Sequence, residues 1–204
     1  MLQTQTVSEE LLELLNEIMS SDFFSGFILV GGTALALQIG HRNSVDLDFF
    51  GNKEIDENKI IEELQKLGKV EKISGSKSVL ICSVNGIKVD FVNHRYPFLD
   101  KYIIADGVRI ASQKDIAAMK LNAIEGRGSK KDFIDLYFLL DKYSLKQMIS
   151  FYNEKYVDHT DFMMLKSITY FVDADIFPQP KMFVNFDWGE CKKKIISEYL
   201  KLNL

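Results

Sequence analysis

In Asp46-Leu47-Asp48-Phe49, carboxylates alternate with apolar side chains. In an extended strand, residues two apart share a face. Asp46 and Asp48 therefore stand side by side while Leu47 and Phe49 turn into a core, so the strand needs one covered face and one open one. The preceding stretch tightens the constraint. An apolar strand over 27–30 runs into Gly31-Gly32, and 33–39 reads as a short helix with Thr33 as its cap. The second strand follows at 45–50. Two glycines between strand and helix let a backbone approach a ligand closely, and the N-terminus of the helix favours anions. Two carboxylates so close repel each other unless a cation or a shared proton lies between them. Mg²⁺ or Mn²⁺ binds oxygen ligands of this kind together with substrate phosphates. A phosphate cradle beside a metal-binding pair points to nucleotide chemistry.

The pattern around this segment is α/β. Residues 7–20 have apolar positions at helical spacing behind Ser8, a suitable N-cap. Residues 56–67 form a second amphipathic helix, closed by Gly68 at C′. A β-rich block follows: 69–74 and 77–84 read as strands, and Asn85-Gly86 as a hairpin turn into 87–92. Residues 108–111 add a short strand. From Ser112 the periodicity is helical, over 112–125, 129–142, 144–156, 160–172 and 188–201, with Pro178 and Pro180 before the last. The chain is expected to be α+β, with an α/β core over 1–110 and a helical domain over 111–204 packed closely against it.

Asp90 interrupts the apolar strand 87–92. A lone acid in a strand is ordinarily a rim residue. On a strand neighbouring 45–50 it becomes a third carboxylate, for a metal or as a general base. Lys120 precedes Asp132 across an expected helix–turn–helix, so the two can face each other, and a carboxylate there keeps the lysine charged.

The order strand, Gly-Gly, helix, Asp-x-Asp strand resembles the minimal members of the nucleotidyltransferase superfamily. Arg42-x-Ser44-x-Asp46-Leu47-Asp48-Phe49, the segment 112–124 with Lys120, and the segment 127–136 with Asp132 extend the match. Together they are similar to the AbiEii-type nucleotidyltransferase toxins of bacterial abortive-infection and toxin–antitoxin systems, over residues 26–142. The resemblance implies a nucleotidyltransferase-like mixed β-sheet with flanking helices, followed by a C-terminal helical bundle that completes the nucleotide cleft. It also implies an Mg²⁺–NTP substrate, an acceptor such as a tRNA 3′ end or another RNA, and a cognate antitoxin protein. Position by position, it assigns Gly31, Gly32 and Thr33 to the phosphates and Asp46 and Asp48 to the metal. Lys120 would meet the NTP phosphates, with Asp132 orienting it or serving in catalysis. Arg42 and Ser44 fall near the triphosphate, and Asp90 fits the third metal carboxylate. The catalytic roles rest on Asp48, Lys120 and Asp132.

Composition narrows the alternatives. With 47% hydrophobic and 26% charged residues, the 204-residue chain has the balance of an ordinary globular protein. No apolar run approaches the roughly 20 residues of a membrane helix. Residues 1–10 are polar and acidic, unlike a secretory signal, so a cytoplasmic location away from membranes is expected. Cys82 and Cys191 read as two reduced thiols. A net charge of −4 argues against a protein that coats nucleic acid. His94 and His159 lack metal-spaced partners. Asp135 reads as support for its helix turn, and Lys192-Lys193-Lys194 as a solvated face. Two rivals stand beside the toxin reading. One is a nucleotidyltransferase acting on a small molecule, as antibiotic-modifying enzymes do. The other is a catalytically inactive nucleotide- or partner-binding module, against which the intact Asp46, Asp48, Lys120 and Asp132 argue.

Overall fold

Burial alternates along β2 (Asp46–Gly51). Asp46, Asp48 and Phe50 are half-buried on one face, while Leu47 and Phe49 are fully buried on the other. In the computed structural model, which describes residues 1–202, this strand lies in a mixed sheet. Its partners are β1 (Ile28–Val30), β3 (Val70–Ser76), β4 (Val79–Val84), β5 (Ile87–Asn93), β6 (Ile103–Ala105) and β7 (Val108–Ile110). The order is β3-β4-β5-β2-β1-β7-β6. β2 is antiparallel to β1 and parallel to β5, β7 is parallel to β1, and the remaining pairs are antiparallel.

The covered face of this sheet carries the core. Phe91 stacks between Phe24 and Phe49, with ring centroids 5.3 and 5.2 Å away. Each such side chain removed from water contributes about 1.5–3 kcal/mol. Helix α1 (Glu9–Ser20) buries Leu11, Leu14, Leu15 and Ile18, and Ser8 caps it by accepting from the Leu11 amide. The Arg109 guanidinium donates to the carbonyls of Met19, Phe24 and Phe27, satisfying backbone acceptors in the last turn of that helix and after it.

The strand boundaries differ from expectation where long-range pairing decides them. β3 and β4 each begin later than periodicity suggests, and a register shift between Lys72 and Ser74 bends β3. β6 is a short exposed strand absent from the expected elements; the Asp106-Gly107 turn folds it onto β7. Gly68 does not sit at a left-handed C′ position. Helix α3 (Glu57–Gln65) ends at the C-cap Lys66, and Gly68 leaves room for the Asn85 amide.

The chain divides into two compact units, residues 1–97 with 101–111, and 98–100 with 112–204. The second is helical: α4 (Gln113–Gly126), α5 (Lys130–Leu139), α6 (Leu145–Lys155), α7 (Phe162–Ser167), α8 (Val172–Ile176) and α9 (Trp188–Leu200). Ser112 caps α4, a Ser144/Gln147 capping box opens α6, and Asp187 caps α9. The single helix expected over 160–172 is instead two short ones. The β-branched pair Ile168-Thr169 propagates helix poorly, and the Tyr170 amide turns back to the Ser167 carbonyl. Among the described residues no helix is long and apolar enough to cross a membrane.

Candidate active site

β1 ends at Val30, and α2 (Gly31–Ile39) begins at once with Gly31 at φ +70°. This left-handed turn brings the backbone under the neighbouring strand. A Cβ on Gly31 would lie 2.6 Å from Asp48 Oδ2, and one on Gly32 would lie 2.5 Å from Arg42 Nη2. Gly31 is dictated by its left-handed φ beneath the Asp48 carboxylate, while a Cβ on Gly32 would displace the end of the Arg42 side chain.

Thr33 is not the cap that the sequence suggested. The helix starts two residues earlier, with Val30 at the N-cap and no side-chain cap. Its first-turn amides lie at the positive end of the helix dipole. Thr33 is buried and braces the loop before β2. Its hydroxyl donates to the Asp46 carbonyl and shares a 2.8 Å hydrogen bond with the Ser44 hydroxyl. The Ser44 amide in turn donates to the Thr6 carbonyl. Arg42 is only 2% exposed and donates to the Asn43 carbonyl at 2.8 Å.

Strand register places the acids. Asp48 pairs with Val30 on one side and Asp90 on the other, and Asp46 pairs with Lys88. Asp46, Asp48 and Asp90 thus share the open face of the sheet. Asp90 is engaged locally: its Oδ2 accepts from Lys88 Nζ at 2.5 Å, while its buried Oδ1 accepts no hydrogen bond. Among the described residues no three Asp, Glu, His or Cys side chains are gathered closely enough to hold a metal. Two carboxylates on one strand face do fit Mg²⁺, which takes one or two protein carboxylates and completes its shell with phosphate oxygens and water.

A second charged cluster lies within the helical unit. Lys120 Nζ is 3.0 Å from Asp132 Oδ1 and 2.6 Å from Asp135 Oδ2, with both carboxylates fully buried. Arg127 donates to both Asp132 oxygens at 2.9 and 3.0 Å, and Ser129 Oγ donates at 2.6 Å. Burial alone would raise the Asp132 carboxyl. Lys120, Arg127 and Ser129 outweigh it and hold the group well below the ordinary carboxylate range. Asp135 is the member that sequence reasoning set aside. The available signal was its position one turn after Asp132, on the same helix face. Both cysteines are buried, which pushes the Cys82 thiol up to about 11 and the Cys191 thiol up to about 12.

Comparison with known proteins adds a family. Residues 13–105 match the AbiEii family, described as the nucleotidyl transferase AbiEii toxin of a type IV toxin–antitoxin system. An uncharacterized protein of Aquifex aeolicus (strain VF5) is 37% identical over 206 residues, covering 96% of this chain and 98% of the relative. Among solved structures, a candidate nucleotidyltransferase from H. pylori superposes with a TM-score of 0.62. Its identity is 18%, and the match covers 95% of this chain and 92% of that one. MenT4, a nucleotidyltransferase toxin from Mycobacterium tuberculosis, gives a TM-score of 0.57 at 14% identity, covering 95% and 82%. At these identities the structural likeness is one of fold.

Proposed function

We propose a function from one premise: the chain belongs to the AbiEii nucleotidyltransferase toxin family. The protein transfers a nucleoside monophosphate from an NTP to a hydroxyl of a nucleic-acid acceptor, for which a tRNA 3′ end is the family-type candidate. It acts in the cytoplasm as the toxin of an abortive-infection or toxin–antitoxin pair, restrained by a cognate antitoxin.

The observation that carries this reading is the seat of Asp48. Its carboxylate closes over the glycine turn that opens α2, in register with Asp90. A metal-binding acid and a cluster of backbone donors thus converge where a triphosphate would lie.

In this reading the first-turn amides at Gly32 and Thr33 and the Arg42 guanidinium receive the phosphate oxygens, with Ser44 beside them. Asp46 and Asp48 hold Mg²⁺, for which Mn²⁺ can substitute; when bound, it neutralises phosphate charge and draws electrons from the α-phosphorus. The acceptor oxygen attacks that phosphorus, the bond to the bridging oxygen breaks, and pyrophosphate leaves. Asp90 Oδ1, which accepts no hydrogen bond, takes the acceptor's proton. Within the helical unit, Asp132 and Asp135 hold the ammonium of Lys120, the lysine that the family resemblance assigns to the phosphates. Catalysis on these terms is positioning and charge neutralisation.

The test supplies each labelled NTP and Mg²⁺ to the purified protein with separate cellular RNA, protein and small-molecule fractions. Label enters RNA with the wild type and not with Asp48→Asn. No labelled product in any fraction, or equal labelling by Asp48→Asn, overturns the transferase. Label confined to protein or small molecules overturns the nucleic-acid acceptor.

A further inference from the structure

The open face of the sheet does not end at the acids. β5 stays paired beyond Asn93, because the His94 amide donates to the Gly51 carbonyl at 2.7 Å. The face that carries Asp48 and Asp90 therefore continues through Phe50 and Val92 to His94. There the side chains become aromatic. Phe50 and His94 stack with centroids 4.4 Å apart at 27°, and Tyr96 meets His94 edge-on at 5.5 Å. Arg95, which is exposed, lies 4.7 Å over the Tyr96 ring, and its Nη2 donates to the Tyr96 hydroxyl at 2.5 Å. The covered face has its own Phe24/Phe91/Phe49 stack. These half-buried rings are thus an aromatic strip on the face opposite that stack.

We infer that Phe50, His94 and Tyr96, with Arg95, form a subsite that stacks the terminal base of a nucleic-acid acceptor. This rests on the transferase reading above and deepens it by naming where the acceptor is held. Position decides between acceptor and donor nucleotide. The glycine turn lies on the β1 side of β2, against its first half, where it would bind the triphosphate. The strip lies on the β5 side, about 7 Å along β2 beyond Asp48 and about 13 Å along β5 beyond Asp90. An in-line displacement brings its attacking hydroxyl from the side of the phosphorus opposite the leaving pyrophosphate. The group held on the strip is therefore the acceptor. Rings and a guanidinium side by side match a base with its phosphate, the combination by which proteins hold single strands. An acceptor without a flat ring would gain nothing from stacking.

The experiment measures binding of a short, 5′-fluorescent single-stranded RNA with a free 3′ hydroxyl to the full chain, without NTP. The same preparations are then assayed for nucleotide transfer. Phe50→Leu and Tyr96→Leu each weaken RNA binding by roughly five- to 150-fold, the span to which ~1–3 kcal/mol of base stacking converts. Tyr96→Phe binds as wild type, and affinity for NTP alone is unchanged in all three. Thermal unfolding checks that the variants fold; if Phe50→Leu does not, Tyr96→Leu decides. RNA affinity equal in wild type and both leucine variants overturns the subsite, as does a wild type that binds no RNA. Ring-dependent binding, with no labelled product from this RNA or any cellular fraction, supports the subsite and overturns the transferase. Transfer to RNA with a ring-independent KM for RNA does the reverse.

Discussion

Asp48 closes over Gly31: its Oδ2 lies 2.6 Å from the position a Cβ on that glycine would take, and the glycine holds φ +70°. Gly31→Ala must therefore strain the backbone by about 1–2 kcal/mol and push the carboxylate from its seat. Nucleotide transfer is expected to fall about a hundredfold, the scale of a 1 Å misplacement. A thermal melt should still show one cooperative transition. Activity equal to wild type would mean that the carboxylate's seat does not matter.

Gly32 has no positive φ, so an alanine there acts only through Arg42, whose Nη2 stands 2.5 Å from the new Cβ. Gly32→Ala and Arg42→Lys should converge on one phenotype, since lysine lacks the planar fork that binds phosphate oxygens in pairs. Both should raise the KM for NTP more than they lower kcat. Steady-state kinetics with the acceptor saturating would show it, and a fall in kcat alone would count against Arg42 as a phosphate ligand.

Asp90 and Asp48 are register partners with unequal surroundings, since Lys88 occupies one oxygen of Asp90. As a general base, Asp90 would contribute about 10²–10⁴-fold to kcat. Asp90→Asn should lose that factor while NTP affinity holds, whereas Asp48→Asn should also weaken Mg²⁺-dependent NTP binding. Calorimetry of NTP binding with and without Mg²⁺ separates the two.

Asp132 predicts a pH dependence. Its folded carboxyl titrates well below the unfolded value of about 3.9. Its contribution to stability is thus complete above that value and is lost as pH falls through the folded one. The urea midpoint should drop steeply with pH below about 4 in the wild type and more shallowly in Asp132→Asn. That variant should also be less stable at pH 7, but by less than the about 3–5 kcal/mol of a fully orphaned buried charge, because Asp135 still pairs with Lys120.

A second buried pair tests the helical unit alone. Lys155 Nζ is 2.9 Å from Asp115 Oδ1, with both side chains fully buried and the ammonium 4.8 Å over the Phe98 ring. Asp115 also accepts from the Leu99 and Asp100 amides and the Ser112 hydroxyl. Burial lowers the Lys155 pKa, against the pull of Asp115. Lys155→Met leaves those three donors in place, while Asp115→Ala takes the carboxylate from the ammonium and the acceptor from the two amides. Denaturant unfolding should show Asp115→Ala, itself destabilising by about 3–5 kcal/mol, as the costlier change.

The site was legible in sequence wherever its geometry is local. The period of two in Asp46-Leu47-Asp48-Phe49 placed two acids on one face, and the structure has them there. Lys120 and Asp132 were paired from helix spacing, and they meet at 3.0 Å. Three features are not read from it, although the one-turn spacing of Asp135 after Asp132 carries a signal for the second. Thr33 braces Asp46 and Ser44 instead of capping a helix. Asp135 binds Lys120 at the shorter distance. Phe50 and His94 stack across two strands. The first and third depend on where a separate segment returns.

Alternation, glycine placement and helical spacing determined the kinds of element, the acid pair and the turn beneath it, because these follow from a few consecutive backbone dihedrals. The tertiary structure alone decided that β2 runs parallel to β5, that Asp48 stands in register with Asp90, and that Arg42 lies buried against Gly32. Those outcomes turn on pairing between distant strands and on the balance of burying charge against satisfying it. Neither quantity is carried by any short window of the chain.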